Sequence, residues 1–307
     1  MKIKIVTAYW MDSEDYPFQG IGSVRKERYL GSLKSHCTNL GQEIIVYTHS
    51  KNLNEVQKLK DDYNLNNLTI KLLELSEVKL HSSINEVRER FFNEGLNGRG
   101  PEIMWGKFDV IERELNDCDQ IYWIDCGLQH PGIFPWRYSG KYNKIEEHSG
   151  NSFNWWSDYD VFNFAPIFNE NLINKLNEIT TNKLFVITTP NPQINHSQFI
   201  ETGIVDNITS PYLIAGMFGG NVNVVKEFVD NFWEYAIKIL ERDFLVTEEA
   251  IMKLAFDNIN KEKIITFSFD VHATQGHDKY HFEMWDESWN ELKPLYMVWH
   301  DIINYQN

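Results

Sequence analysis

Short apolar runs alternate with amphipathic stretches over much of the chain, which is the pattern of strands and helices taking turns. Ile3 to Trp10 predicts a first strand, opening into a loop rich in Asp, Glu, Pro and Gly that reaches Gly22. From Ser23, the residues Leu30, Leu33, Cys37 and Leu40 fall at helical spacing, and Gly41 stands where such a helix would stop. Glu43 to Thr48 predicts a second strand, Asn52 to Tyr63 a helix with a polar face, and Leu68 to Leu75 a third strand. Repeated strand-helix-strand units of this length build parallel sheets.

The pattern continues with a helix from Ser83 to Phe92, a glycine-rich break at 95–100, a helix from Ile103 to Leu115 and an apolar strand from Ile121 to Asp125. Residues 131 to 165 carry aromatic clusters punctuated by Pro131, Pro135, Gly140 and Gly150, and read as a long irregular loop near a site. Strands are predicted at Leu184 to Thr188, Leu213 to Phe218, Ile264 to Phe269 and Leu295 to Trp299. Helices are predicted at Val222 to Leu240 and Thr247 to Phe256. The expected architecture is an α/β fold, a mostly parallel central sheet flanked by helices. We read 1–307 as one domain.

Composition narrows the class. Hydrophobic residues make up 42% and charged residues 24%, values of a globular chain that exclude disordered and fibrous classes. No run of about 18 apolar residues occurs, and Met1 leads straight into the strand pattern without a signal-peptide core, so a cytoplasmic protein is expected. Cys37, Cys118 and Cys126 lack metal-ligand spacing and read as reduced thiols. The net charge of −15 opposes broad binding to nucleic acid. Ten tryptophans supply flat apolar faces, some for sugar rings and most for the core.

The string Ile121-Tyr122-Trp123-Ile124-Asp125-Cys126-Gly127-Leu128-Gln129-His130 delivers an aspartate at the carboxyl end of an apolar strand. Open α/β sheets bind ligands at that rim, although an aspartate there can equally close a turn. A departing diphosphate gains negative charge, which Mn²⁺ or Mg²⁺ held by carboxylate and imidazole neutralises. Trp105-Gly106-Lys107 offers a lysine to phosphate, or a solvated one. Ile214 to Gly220 is an apolar strand turning glycine-rich, so its backbone either approaches a sugar closely or simply bends before the next helix. Thr247 can cap a helix whose first turn carries Glu248 and Glu249, and a carboxylate fixed there can take a proton from an acceptor hydroxyl. His300 ends the last apolar strand and suits Mn²⁺, or is a structural histidine. His272, His277 and His281 read first as surface loop residues.

In order and spacing, these strings resemble the GT-A glycosyltransferases, and within them the bacterial and phage group known as WlaTC/HtrL. The resemblance rests on Ile5-Val6-Thr7-Ala8-Tyr9, the stretch Arg25 to Leu30, Trp105 to Lys107, Tyr122 to Gly127, and Ala215 to Gly220 followed by Glu248-Glu249. It implies a Rossmann-like GT-A fold, with a nucleotide-binding half at 1–130 and an acceptor-binding half at 131–307. It implies also that Thr7, Ala8 and Tyr9 line the nucleotide, that Arg25 and Lys107 lie near phosphate or base, and that Trp123 and Asp125 contact the donor. Gly219, Gly220 and His130 are then substrate contacts, Glu249 and its neighbour Glu248 the catalytic carboxylates, and His300 the late metal-binding histidine. Asp125 holds the first place of the family's Asp-any-Asp metal motif. Gly127 stands where the second carboxylate usually lies, so either Asp125 and His300 share the metal or metal dependence is weak.

The function so implied is a hexosyltransferase-like enzyme. It moves a sugar from a nucleotide-sugar donor, expected to be UDP-linked, to a hydroxyl acceptor, expected to be a surface glycan, with divalent-metal assistance. Two alternatives stand beside it: a phage-type transferase acting on hydroxymethylated DNA bases, and a non-catalytic sugar-binding module.

Overall fold

A computed structural model of the protein describes residues 1–11, 22–91, 100–127, 169–189, 212–268 and 302–306. Seven strands form one sheet: β1 (Ile3–Tyr9), β2 (Glu43–Thr48), β3 (Leu68–Leu72), β4 (Gln120–Ile124), β5 (Leu184–Thr189), β6 (Tyr212–Asn221) and β7 (Ile264–Ser268). Their spatial order is β3-β2-β1-β4-β6-β5-β7. The pairs β1·β2, β2·β3, β1·β4 and β5·β7 are parallel, and β6 runs antiparallel between β4 and β5. This is the expected mostly parallel sheet flanked by helices, of Rossmann-like β-α-β construction on its β1–β3 side.

The main helices among the described residues are α1 (Gly22–Asn39), α2 (Ser50–Asp62), α3 (His81–Phe91), α4 (Gly100–Glu114), α5 (Glu170–Ile179), α6 (Val222–Leu240) and α7 (Glu248–Asp257). Alternate residues of each strand enter two cores, because successive side chains of a strand point to opposite faces. Val6, Ile45, Ile121, Trp123, Val186 and Phe218 meet α3, α4, α6 and α7 on one face. Ile5, Tyr9, Val46, Tyr122, Phe185 and Met217 meet α1, α2 and α5 on the other. Trp10, Trp105, Trp123 and Trp233, the tryptophans among the described residues, are all buried, which is the core role expected for most of them. No helix among the described residues is long and apolar enough to cross a membrane.

Several boundaries differ from the sequence reading. The third strand stops at Leu72, and a 3-10 turn follows at Leu75–Glu77, where the Glu74 and Glu77 side chains close a reciprocal capping box. The glycine-rich break yields sooner than expected, since α4 already begins at Gly100 with Pro101 in its first turn, where a missing N–H costs nothing. β6 runs on through Gly219 and Gly220 to Asn221 instead of breaking before them. α5 was not predicted: Asn169 accepts from the Leu172 N–H, and Leu172, Ile173, Leu176 and Ile179 are buried at helical spacing. The expected loop at 131–165, the histidine loop at 272–281 and the strand at 295–299 lie outside the described residues.

Glu114 at the end of α4 ties that helix to three strands. It accepts from the Tyr47 hydroxyl at 2.6 Å on β2, and forms ion pairs with Lys4 of β1 at 3.2 Å and with Lys71 of β3. Burial pushes its carboxyl up, but hydrogen bonds from Lys71, Tyr47 and Lys4 outweigh that and hold it below its usual range.

Candidate active site at the carboxyl end of the sheet

The chain leaves β1 outward through β2 to β3, whereas β4 adjoins β1 on the opposite side, so the order reverses between β1 and β4. In open α/β sheets the crevice for ligands lies at such a reversal, beyond the carboxyl ends of the strands. Asp125 stands there, one residue past β4. Its backbone N–H donates to the Gly216 carbonyl at 2.8 Å, extending the pairing with β6, and the Trp123 indole N–H donates to Asp125 Oδ1 at 3.0 Å.

From the facing helices come the remaining charges. Lys107 of α4 places Nζ 3.2 Å from Asp125 Oδ1 and 2.8 Å from Glu248 Oε1, which lies in the first turn of α7. Side-chain exposure is 12% for Lys107 and 8% for Glu248, against 36% for Asp125, so Asp125 is the member of the group that faces outward. Glu249 turns one oxygen toward the Ala215 N–H, a long contact at 3.5 Å.

The residues around Lys107 fix these positions. Trp105 is buried, and its indole N–H donates to the Val246 carbonyl at 3.1 Å, holding the chain that enters α7. Gly106 lets the Trp10 indole rest on α4: a Cβ there would lie 2.8 Å from the ring. Thr247 occupies the cap position of α7, but its side chain makes no cap bond, correcting the capping expected of it. The α7 carboxylates still gain from the helix N-terminus itself.

Burial lowers the Lys107 ammonium, but the charges of Asp125 and Glu248 outweigh it and raise the group well above its ordinary value. Burial pushes the Asp125 carboxyl up; Lys107 opposes this, and Glu248 adds to it. Burial and then the Glu248 charge push the Glu249 carboxyl up to about 8, with Lys107 pulling the other way. Glu249 therefore holds its proton much closer to neutral pH than a free glutamate does.

Gly127, two residues past Asp125, is covered by the Tyr29 ring: a Cβ there would lie 2.7 Å from Tyr29 Cζ. Cys126 donates its thiol hydrogen to the Tyr29 carbonyl at 3.5 Å. Beneath the same turn, His36 of α1 is buried, its Nε2 3.3 Å from the Ser32 hydroxyl, and burial lowers its pKa to about 4, so the ring is neutral at ordinary pH. Sequence reasoning missed Tyr29, His36 and the anchoring role of Trp105. Tyr29 falls within the stretch Arg25 to Leu30, and His36 sits in the apolar stripe of α1, so their types are legible in the sequence and their contacts are not.

Among the described residues no three of His, Cys, Asp and Glu are grouped closely enough to hold a metal ion. Asp125 Oδ1 already accepts from Lys107 and Trp123, and the second carboxylate position is filled by the Tyr29 ring. This donor set does not fit a divalent ion. His300, the other expected ligand, lies outside the described residues, as does His130.

The other expected contacts divide. Thr7 is buried within β1 and its hydroxyl finds no hydrogen-bond partner among the described residues, while Ala8 is partly buried against the α4 face. Tyr9 is fully buried; its hydroxyl donates to Glu55 Oε2 at 3.0 Å, and Glu55 also pairs with Lys26 at 3.0 Å. Arg25 lies on α1, and its side chain is outside the described set. Gly219 and Gly220 are not brought to Asp125. They pair with Tyr122 and Ile121, and a Cβ at either would strike backbone oxygens, 2.3 Å from Ile121 O and 2.2 Å from Lys183 O. Their close approach is to protein within and beside the sheet.

No family model matches the chain, and no curated protein matches it. Among solved structures it is similar to apo mouse xyloside xylosyltransferase 1, at 7% identity and a TM-score of 0.44, over 87% of this chain and 85% of that one. It is similar to the apo bifunctional glycosyltransferase WbbM at 11% identity and a TM-score of 0.39, over 87% of this chain and 38% of that one. A third likeness, at 11% identity and a TM-score of 0.35, is to 4-diphosphocytidyl-2C-methyl-D-erythritol synthase from Anaerococcus prevotii, over 87% of this chain and 86% of that one. The fold stands on the strand order and register described above.

Proposed function

We propose that this protein is a glycosyltransferase of the GT-A type that moves a sugar from a nucleotide-sugar donor, UDP-linked, to a hydroxyl of a surface glycan. The observation that carries the reading is the joining of Asp125, Lys107 and the α7 carboxylates at the sheet reversal between β1 and β4. Ligands of open α/β sheets bind at such a place, and the group there includes a carboxylate poised to exchange a proton near neutral pH.

In this reading Glu249 is the general base. As the acceptor oxygen bonds to the anomeric carbon, its proton passes to the Glu249 carboxylate, and the anomeric carbon–phosphate oxygen bond breaks with its electron pair leaving on the diphosphate. Displacement of this kind inverts the anomeric centre. Lys107 and Trp123 hold Asp125 in place against the donor, and Glu248 holds Lys107. No step is routed through a metal, because the described residues do not fit one. We place the reaction in the cytoplasm, in keeping with Cys37, Cys118 and Cys126 being free thiols.

A screen of nucleotide sugars for donor hydrolysis tests this without knowledge of the acceptor. Turnover is expected to rise as pH climbs through about 8, because the base works only after losing its proton. Glu249→Gln should keep donor binding and lose transfer by about 100-fold or more. Transfer retained in that variant removes Glu249 from the mechanism, and hydrolysis of no nucleotide sugar removes the reading.

A further inference from the structure

Asp125 holds the place where the resembled family carries a divalent ion, yet both flanks of that place are filled in this chain. On one flank the Tyr29 ring lies over Gly127, closer than any added side chain would permit. On the other, the Lys107 ammonium stands between two carboxylates, 3.2 Å from Asp125 Oδ1 and 2.8 Å from Glu248 Oε1. Asp125 Oδ1 also takes the Trp123 indole N–H at 3.0 Å. We propose that Lys107 is the resident cation of this site, its ammonium neutralising the inward oxygens of Asp125 and Glu248, and that the outer oxygen of Asp125 accepts hydrogen bonds from sugar hydroxyls instead of ligating a metal.

The first half follows from charge and geometry. Mg²⁺ requires near-ideal octahedral coordination by oxygen. Here the inward oxygens of both carboxylates are committed to an ammonium, whose charge repels a second cation at contact distance. Lys107 keeps its proton, since the neighbouring carboxylate charges overcome its burial. The second half rests on the glycosyl-transfer reading. Asp125 Oδ2 takes no hydrogen bond from a described residue and the side chain is 36% exposed, so a carboxylate oxygen faces outward with its counter-ion behind it. Such an oxygen forms short, charge-assisted hydrogen bonds to hydroxyl donors.

The first test is titration of the full chain with Mn²⁺, followed by the electron paramagnetic resonance signal of the free ion. The wild type should show no saturable binding below the millimolar range. Lys107→Met, with Asp125, Glu248 and Glu249 left unopposed, should bind Mn²⁺ at least about tenfold more tightly, and adding Asp125→Asn should abolish the gain. Micromolar Mn²⁺ binding by the wild type that disappears in Asp125→Asn overturns the proposal, as does a folded Lys107→Met that binds no better than the wild type. Where Lys107→Met does not fold, the comparison of wild type with Asp125→Asn decides.

The second test is calorimetry with UDP and with UDP-glucose in the presence of EDTA. Asp125→Asn should weaken UDP-glucose by about tenfold and leave UDP unchanged, whereas equal effects on both ligands overturn the hydroxyl assignment. If neither ligand binds the wild type, the glycosyl-transfer reading and the hydroxyl assignment fall together, while the Mn²⁺ titration still decides the resident cation.

Discussion

Asp125 is held outward by its neighbours in sequence and in space: Trp123 through the indole N–H, Gly216 through the backbone, Lys107 through charge. Gly127 is glycine because Tyr29 needs the space, which explains why the second acidic residue of the resembled motif is missing. Gly127→Asp, the change that would restore the motif, should therefore displace the Tyr29 ring and destabilise the fold by about 1–3 kcal/mol. Urea denaturation at neutral pH measures it, and an unchanged midpoint would show that the ring yields freely. At this scale the sequence was partly legible. Asp125 could be placed by the strand that ends there and Glu248 by its helix start, because both depend on local pattern. That Lys107 reaches across to both could not be read, since Lys107 and Glu248 are 141 positions apart.

Elements were legible where an apolar run or a helical stripe stood alone, as in β2 and α6, whose bounds match the sequence reading. They were illegible where the signal depended on a partner. Gly219 and Gly220 look like a break, but β6 continues through them with φ of +153° and +134°, conformations that a side chain would strain, packed against Ile121 and Lys183. Gly219→Ala should cost at least about 1–3 kcal/mol from the backbone conformation alone. The contact with the Ile121 carbonyl adds to that cost. Loss of the urea midpoint in this variant, with Gly216→Ala as a comparison, checks that the requirement belongs to the glycine pair.

At the scale of the molecule, Glu114 couples α4 to β1, β2 and β3 and makes stability depend on pH. Its folded value lies below the unfolded value of about 4.5. Its contribution is therefore complete above that value and is lost as pH falls through the folded one. Glu114→Gln should cost about 1.5–3 kcal/mol at pH 7, the worth of hydrogen bonds to a charged group. The gap from the wild type should narrow as pH drops below about 4.5. Denaturation curves for both proteins from pH 7 to pH 3 give the comparison, and a constant gap would locate the coupling elsewhere. The α/β class was readable from the strand-helix alternation, whereas the reversed direction of β6 was not, because no local pattern encodes which neighbour a strand will find.

That reversal has a consequence in time. β4 and β5 touch only through β6, so the sheet cannot close until residues 212–221 arrive, long after β1 to β4 have been synthesised. Until then β4 offers a bare apolar edge, a hazard for sticking to other chains. The partners that complete the rim around Asp125, Gly216 and then Glu248, come with or after that strand. The nascent chain thus acquires strands β1 to β4 early and its chemistry late, and a ribosome stalled before β6 would leave a half-built sheet with no working end.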